Sequence, residues 1–296
     1  MSAYRGRFAP SPTGRLHFGS LTAALGSWLF ARAASGRWIV RIEDLDPPRE
    51  IPGADAEILR TLSAFGLESD EPPVYQSRRS EAYARAFEQL KTAGHVYPCW
   101  CSRSDLAASE GIHPPHCVAA KDSERDPAWR LRVPTQNIAF DDAIQGPLHQ
   151  DLAREAGDFV VLRADGWYAY QLAVVVDDAA QGITDVVRGA DLVDSTPRQI
   201  LLQELLAVPR IRYAHLPLAL DGEGRKLSKQ ERAIAIDDAD PLPALRASLA
   251  FLGQPAPSAT SVQGLLEEAL RTFDPRRIPR NAAAPKPFAA LREELS

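Results

Sequence analysis

The segment that most constrains this chain is Arg7-Phe8-Ala9-Pro10-Ser11-Pro12-Thr13-Gly14-Arg15-Leu16-His17-Phe18-Gly19-Ser20. Pro10 and Pro12 forbid helix through the turn, whereas Tyr4 to Phe8 is extended in propensity and Leu21 to Phe30 carries apolar residues at helical spacing. A strand, a glycine-containing loop and a helix start, in that order, predict the first unit of a parallel α/β sheet. The unpaired N–H groups and dipole of the helix favour an anion at its start, so this turn is a phosphate-binding candidate. His17 sits at that start, and Gly19 removes a side chain where a flat base would approach the backbone closely.

The α/β alternation continues. Gly36 stops the first helix, and Arg37 to Glu43 reads as a strand with Trp38, Val40 and Ile42 on one face. It ends in Glu43-Asp44-Leu45-Asp46, which places three acids beyond the carboxyl end of a strand, where open parallel sheets bind ligands. Ala54 to Phe65 and Arg79 to Thr92 have the spacing of amphipathic helices. Residues 96–126 break the pattern: they are loop-like, rich in Ser and Pro, and hold Cys99, Cys101 and Cys117, all the cysteines of the chain. Strands are expected at Ala128 to Val133, Asn137 to Ile144 and Phe159 to Leu162, with a turn at Asp165-Gly166.

A helix is expected from Tyr170, then a strand from Ile183 to Val187 ending in Arg188-Gly189. Thr196-Pro197 reads as the cap and first-turn proline of a helix to Leu206, and His215 to Leu220 as the next strand. A glycine-flanked, cation-bearing loop follows, Asp221-Gly222-Glu223-Gly224-Arg225-Lys226-Leu227-Ser228-Lys229. Helical patterns return at Leu242 to Phe251 and Ser261 to Phe273, before a stretch holding Arg271, Arg276, Arg277 and Arg280. No internal repeat is found.

Composition excludes several classes. With 45% hydrophobic and 25% charged residues over 296 positions, the chain reads as globular, and no long apolar run marks a membrane span or a signal peptide. A cytoplasmic monomer without a membrane partner is expected. The net charge of -5 argues against a protein that coats nucleic acid indiscriminately, but leaves room for a local basic patch. Three cysteines in one short stretch of such a chain suggest a metal before disulfides.

Taken singly, a His at a helix start is usually structural, and a Lys-x-x-Lys loop is usually a solvated turn. Together, on a first strand–helix turn and on a loop after a late strand, they resemble the two signatures of class I aminoacyl-tRNA synthetases. His17-Phe18-Gly19-Ser20 looks like His-Ile-Gly-His with the last His replaced, and Lys226-Leu227-Ser228-Lys229-Gln230 looks like Lys-Met-Ser-Lys-Ser. The turn from Arg7 to Gly14, Arg41-Ile42-Glu43-Asp44-Leu45-Asp46, Tyr75-Gln76-Ser77 and Val187-Arg188-Gly189-Ala190-Asp191-Leu192 are similar to the glutamyl-tRNA synthetase pattern, in its order.

That resemblance implies a Rossmann-like catalytic domain split over residues 1–95 and 160–237, a zinc-containing insertion at 96–159, and a helical C-terminal region at 238–296. It implies that His17, Lys226 and Lys229 are catalytic, and that His17, Gly19, Ser20, Lys226, Ser228 and Lys229 bind ATP with its Mg²⁺. It assigns L-glutamate to Arg7, Ala9, Ser11, Glu43, Tyr170 and Arg188. The chemistry agrees: a carboxylate attacking a phosphate needs cations and N–H donors for the charge that builds up, and an Arg fork suits a carboxylate. For Arg188 the plain alternative is a surface ion pair, and Arg41, inside a strand, reads as structural.

Four S or N ligands make a structural zinc site, and Cys99, Cys101 and Cys117 supply three. In the family's shortened members a Cys-x-Cys pair is followed by a Tyr and a Cys four residues later. Here His113 stands at the Tyr position, with His116 as the competing fourth ligand. Residues 230–296 are expected to leave no room for the long anticodon-gripping domains of the resembled synthetases, and in length, in its cysteine stretch and in its Lys226-Leu227-Ser228-Lys229-Gln230 segment the chain resembles the family's shortened members. That resemblance implies tRNA(Asp) bearing queuosine as the partner, whose modified base would receive the glutamate. An ordinary glutamyl-tRNA synthetase fragment charging tRNA(Glu), or a non-catalytic zinc-binding paralogue that binds RNA or senses glutamate, are the other readings.

Overall fold

In the computed structural model, which describes residues 3–102, 104–114, 116–122, 124–218 and 236–280, strand β1 (Arg5–Phe8) passes through the proline turn into helix α1 (Phe18–Ala33). Then come β2 (Arg37–Ile42), α2 (Ala54–Ala64), β3 (Val74–Tyr75), α3 (Ser80–Thr92), β4 (Val96–Cys99), β5 (Ala128–Leu131), β6 (Asn137–Asp142) and β7 (Gly146–Asp151). The short α4 (Leu152–Glu155), β8 (Phe159–Leu162), α5 (Tyr170–Ala180), β9 (Asp185–Gly189), α6 (Thr196–Leu205), β10 (Arg212–Leu216), α7 (Pro241–Phe251) and α8 (Val262–Thr272) complete the described chain.

Strands β1, β2 and β3 form one parallel sheet; β9, β10 and β6 form a second, to which β7 adds an antiparallel edge. The two lie edge to edge. Thr184, just before β9, donates its N–H to the Arg5 carbonyl at 2.9 Å, and its hydroxyl accepts from the Arg5 N–H at 2.9 Å. The chain therefore leaves β1 toward β2 on one side while β9 stands on the other, and the crevice beyond the carboxyl ends of β1 and β9 is a topological switch point. A separate antiparallel sheet, β4-β5-β8, carries the cysteine-rich stretch. The β6–β7 hairpin, though within residues 96–159, belongs to the sheet of β9 and β10.

The alternation in β2 sorts the layers. Trp38, Val40 and Ile42 pack with Leu21 and Leu25 of α1 and with α2, α7 and α8, as the alternation in the sequence predicts. Ile39 points the other way, into a core with Leu172 and Val175 of α5, Ile200 of α6 and Phe87 of α3. A strand buried on both faces needs apolar residues at nearly every position, which Trp38 to Ile42 of β2 nearly supply. Arg41 is the exception, wholly buried on the face of Ile39.

Several strand boundaries differ from the sequence reading, and two of the differences bear on the cavity. Strand β9 is Asp185–Gly189 rather than Ile183 to Val187, because Thr184 is spent on β1, and Arg188 therefore lies inside the strand. Strand β10 is Arg212–Leu216 rather than His215 to Leu220; Pro217 has no N–H to continue the ladder. No helix among the described residues is long and apolar enough to cross a membrane.

Candidate active site

The crevice at the switch point is a cavity of about 450 Å³. Every described residue singled out in the sequence for the amino acid or the nucleotide lines it: Arg7, Ala9, Ser11, Glu43, Tyr170 and Arg188, with His17, Gly19 and Ser20. Leu216, Pro217 and Leu218 also line it. Lys226, Ser228 and Lys229 lie outside the described residues.

At one end of the cavity, α1 begins with a reciprocal cap. His17 is the N-cap residue, in extended conformation; its Nδ1 accepts from the Ser20 N–H at 3.4 Å, and the Ser20 hydroxyl accepts from the His17 N–H at 2.8 Å. The structural role of a helix-start His and its place in the cavity wall thus coexist. A Cβ on Gly19 would stand 3.2 Å from the His17 ring, so the glycine seats the imidazole as well as thinning the wall. The first turn of α1 holds no acid, so no side chain of that turn offsets the positive end of the helix dipole.

The polar floor comes from β1, β2, α5 and β9. Arg7, 4% exposed, donates through Nε and Nη2 to the Asp178 carboxylate at 3.2 and 3.4 Å. Arg41 donates to the same carboxylate at 2.7 Å, to Gln181 at 2.7 Å and to Glu43 at 3.1 Å. Burial pushes the Asp178 carboxyl up, but the charges of Arg41 and Arg7 more than offset it and hold it below the ordinary range. Burial raises Glu43, against the pull of Arg41 and Arg7. The neighbouring Asp177 is fully buried and accepts from Gln76, Arg79 and Tyr83 at 2.7, 2.5 and 2.7 Å. Sequence reasoning missed this network. Its signal was there, two adjacent acids inside an otherwise apolar helix, since buried charges occur only where they are paired.

Arg188 is not a surface ion pair. It is 5% exposed and held by neutral groups: Nε donates to His215 Nε2 at 3.1 Å, Nη1 to Gln199 at 2.9 Å and to the Tyr170 hydroxyl at 3.4 Å, and Nη2 to Thr196 Oγ1 at 2.8 Å and the Leu192 carbonyl at 3.2 Å. All five N–H groups have acceptors. Yet among the described residues no carboxylate pairs with it. Thr196, expected as a cap, is instead the first residue of α6, and its hydroxyl serves Arg188. Of the three acids after β2, only Glu43 lines the cavity; Asp44 accepts from Ser77 and Asp46 from Arg49 and Arg163.

Away from the cavity, Cys99, Cys101, His113 and Cys117 place one ligand atom each within 4.8 Å of one another. His113, not His116, stands in the cluster. Its Nε2 lies 3.2 Å from Cys99 Sγ, while its Nδ1 lies 2.6 Å from the Pro114 carbonyl and 3.2 Å from the Tyr97 hydroxyl, the arrangement that orients a metal-binding imidazole. Burial and the adjacent sulfurs push the Cys117 thiol up to about 12, so three sulfurs this close do not all ionise unless a cation joins them. The donor set fits a metal ion. Gly157 locks the loop down: it bridges to His113 at φ +62°, where a Cβ would stand 2.4 Å from the His113 carbonyl.

A signature turn, a switch-point cavity and paired arginines together define a class. The chain belongs to the family described as tRNA synthetases class I (E and Q), catalytic domain, whose model matches residues 3–258. Within it, the relatives are particular: a protein of Xanthomonas oryzae pv. oryzae (strain KACC10331 / KXO85) named Glutamyl-Q tRNA(Asp) synthetase is 60% identical over 282 residues, spanning 94% of this chain and 93% of its own. Its namesake in Pseudomonas aeruginosa (strain LESB58) is 52% identical over 289 residues, spanning 96% and 98%. Among solved structures, a glutamate tRNA ligase from Elizabethkingia meningosepticum CCUG26117, in complex with its amino acid, superposes with a TM-score of 0.81 at 25% identity, covering 99% of this chain and 70% of that one. The family expected from the motifs, and the α/β fold with parallel sheets, are both observed.

Proposed function

We propose that this chain activates L-glutamate with ATP, without needing tRNA, and passes the glutamyl group to the queuosine base of tRNA(Asp). The observation that carries the reading is the 60% identity, over nearly the whole chain, to a relative named for that reaction, in a chain whose candidate residues share one cavity. In the first step a glutamate carboxylate oxygen attacks the α-phosphorus of ATP, and the bond to the β-phosphate breaks to release pyrophosphate. In the second, a queuosine hydroxyl attacks the acyl carbon and AMP leaves.

Arg7, Ala9, Ser11, Glu43, Tyr170 and Arg188 hold glutamate, Arg188 taking a carboxylate and the Glu43 side taking the ammonium. The weakest of the Arg188 bonds, the 3.4 Å contact to Tyr170 at the cavity wall, is the one an incoming carboxylate displaces. The start of α1, whose first turn holds no acid, meets the phosphates with His17, Gly19 and Ser20, and the phosphates bring Mg²⁺ with them. Lys226 and Lys229, with Ser228, serve the departing pyrophosphate. Zinc is the metal proposed for the Cys99, Cys101, His113 and Cys117 cluster, in a structural role remote from the reaction.

Pyrophosphate exchange into ATP tests the first step: glutamate, but not glutamine or aspartate, is expected to support it in the absence of tRNA. Charging assays on purified tRNA(Asp) and tRNA(Glu) test the second. Product that survives removal of the 3′ terminus and disappears with queuosine-free tRNA(Asp) supports the proposal, and charging of tRNA(Glu) at its 3′ end overturns it. One zinc per chain is expected by elemental analysis of freshly purified protein; metal-free protein refutes that assignment.

A further inference from the structure

Behind the cavity, three neighbouring parallel strands contribute one residue each to a continuous row. Asp142 ends β6, His215 lies in β10 and Arg188 lies in β9, directly opposite His215 in the register of the two strands. The row runs from the interior of the sheet to the cavity wall. Asp142 and His215 have side chains with no exposure at all, and neither lines the cavity.

The hydrogen bonds along the row have one direction. Asp142 Oδ1 accepts the N–H groups of Ile144, Gln145 and His215 at 3.0, 2.9 and 3.1 Å, which fixes the carboxylate. Its Oδ2 stands 2.6 Å from His215 Nδ1. A carboxylate can only accept there, so the network assigns the imidazole proton to Nδ1 and leaves Nε2 a bare acceptor. That acceptor lies 3.1 Å from Arg188 Nε, a group that can only donate, and 3.2 Å from Thr196 Oγ1. Burial and the charge of Arg188 favour the neutral imidazole, against the pull of Asp142, and net they lower its proton affinity. A buried carboxylate–imidazole pair is costly relative to an apolar pair of the same shape. A stabilising role alone does not call for it, whereas aiming a guanidinium does.

We infer that Asp142 and His215 are positioning residues which fix the tautomer of His215 and, through it, the plane and reach of the Arg188 guanidinium toward a substrate carboxylate. The inference rests on the reading of Arg188 as the carboxylate receptor. It gives the β6–β7 hairpin a part in substrate selection that its sequence position does not suggest, and it makes the negative charge of Asp142 act two residues away from the ligand while the ligand itself meets only the positive one.

Asp142→Asn tests it. The amide keeps an oxygen for the three backbone N–H groups but turns N–H toward His215 Nδ1, so the imidazole proton moves to Nε2 and meets the Arg188 Nε–H donor to donor. In glutamate-dependent pyrophosphate exchange the KM for glutamate is expected to rise about 10- to 100-fold with the KM for ATP unchanged. Nitrogen NMR of the histidine ring is expected to report the Nδ1–H form in the wild type and the Nε2–H form in the variant. His215→Gln, which still offers an oxygen to Arg188, is expected to hold glutamate better than His215→Leu, and that pair decides the matter should Asp142→Asn fail to fold. An unchanged KM for glutamate in folded Asp142→Asn, a parallel rise in both KM values, or equal KM values in the two His215 variants overturns the inference. Wild-type protein without glutamate-dependent exchange overturns the reading of the cavity itself.

Discussion

Arg7 and Arg188 stand on adjacent strands and line the same cavity, yet they are held in opposite ways. Arg7 is gripped by a carboxylate, Asp178, which Arg41 shares. Arg188 is gripped by an imidazole, an amide, two hydroxyls and a carbonyl. The first arginine is neutralised inside the protein; the second keeps its charge for whatever enters. At low effective dielectric that difference decides which one an anionic side chain meets, and the burial of Arg188 costs least when a ligand carboxylate joins it. The Arg7 side is a scaffold of charges, the Arg188 side a receptor.

The sharpest way to break that contrast is Asp178→Asn. It leaves Arg7 and Arg41 facing each other across an uncharged amide, so a loss of about 3–5 kcal/mol in unfolding free energy is expected by denaturant titration. A loss below 1 kcal/mol, small for any buried substitution, would mean that the pairing is incidental. Next in size, Arg188→Gln is expected to lower kcat/KM for glutamate about 100- to 1,000-fold in pyrophosphate exchange, and to erase the preference for glutamate over glutamine. Arg7→Gln should do the reverse, lowering stability while keeping the preference. If Arg7→Gln erases the preference too, the two arginines are not distinct.

Smaller effects sharpen the picture. Gln199→Leu removes one neutral acceptor from Arg188 and is expected to cost about 1.5–3 kcal/mol, read by thermal melts, less than the loss of a charged partner on the Arg7 side. Acid provides the mildest probe. Asp178 is held below the ordinary carboxylate range when folded, against the upward push of its own burial, so the unfolded chain binds a proton first. Its stabilisation is complete above that range and drains away as the pH falls toward the depressed folded value. Asp178→Asn should therefore flatten the acid limb of a stability–pH curve, while Gln199→Leu leaves its shape unchanged.

Much of this could be read along the chain because it is written in local chemistry. Prolines at 10 and 12, the helical spacing after Leu21 and the alternation of Trp38, Val40 and Ile42 act within a few residues, and each sits where the sequence placed it. The cysteine pair and His113 were legible too, since ligand types at short spacing announce a cluster. Strand ends were less so: whether Arg188 lies inside β9 or follows it depended on Thr184 being captured by β1. Arg41, read as structural, proved to be the hub that ties Glu43 to Asp178.

The sequence by itself determined the order of elements, the turn that opens the cavity and the side chains that line it, because propensity and periodicity are properties of neighbours. Only the tertiary structure decided what each charge is worth. Arg7 meets Asp178 across 171 positions and His215 meets Asp142 across 73, contacts that exist only once the strands are laid side by side. Whether a buried arginine is satisfied or left expectant is a matter of its surroundings rather than its identity, and no local pattern carries that information.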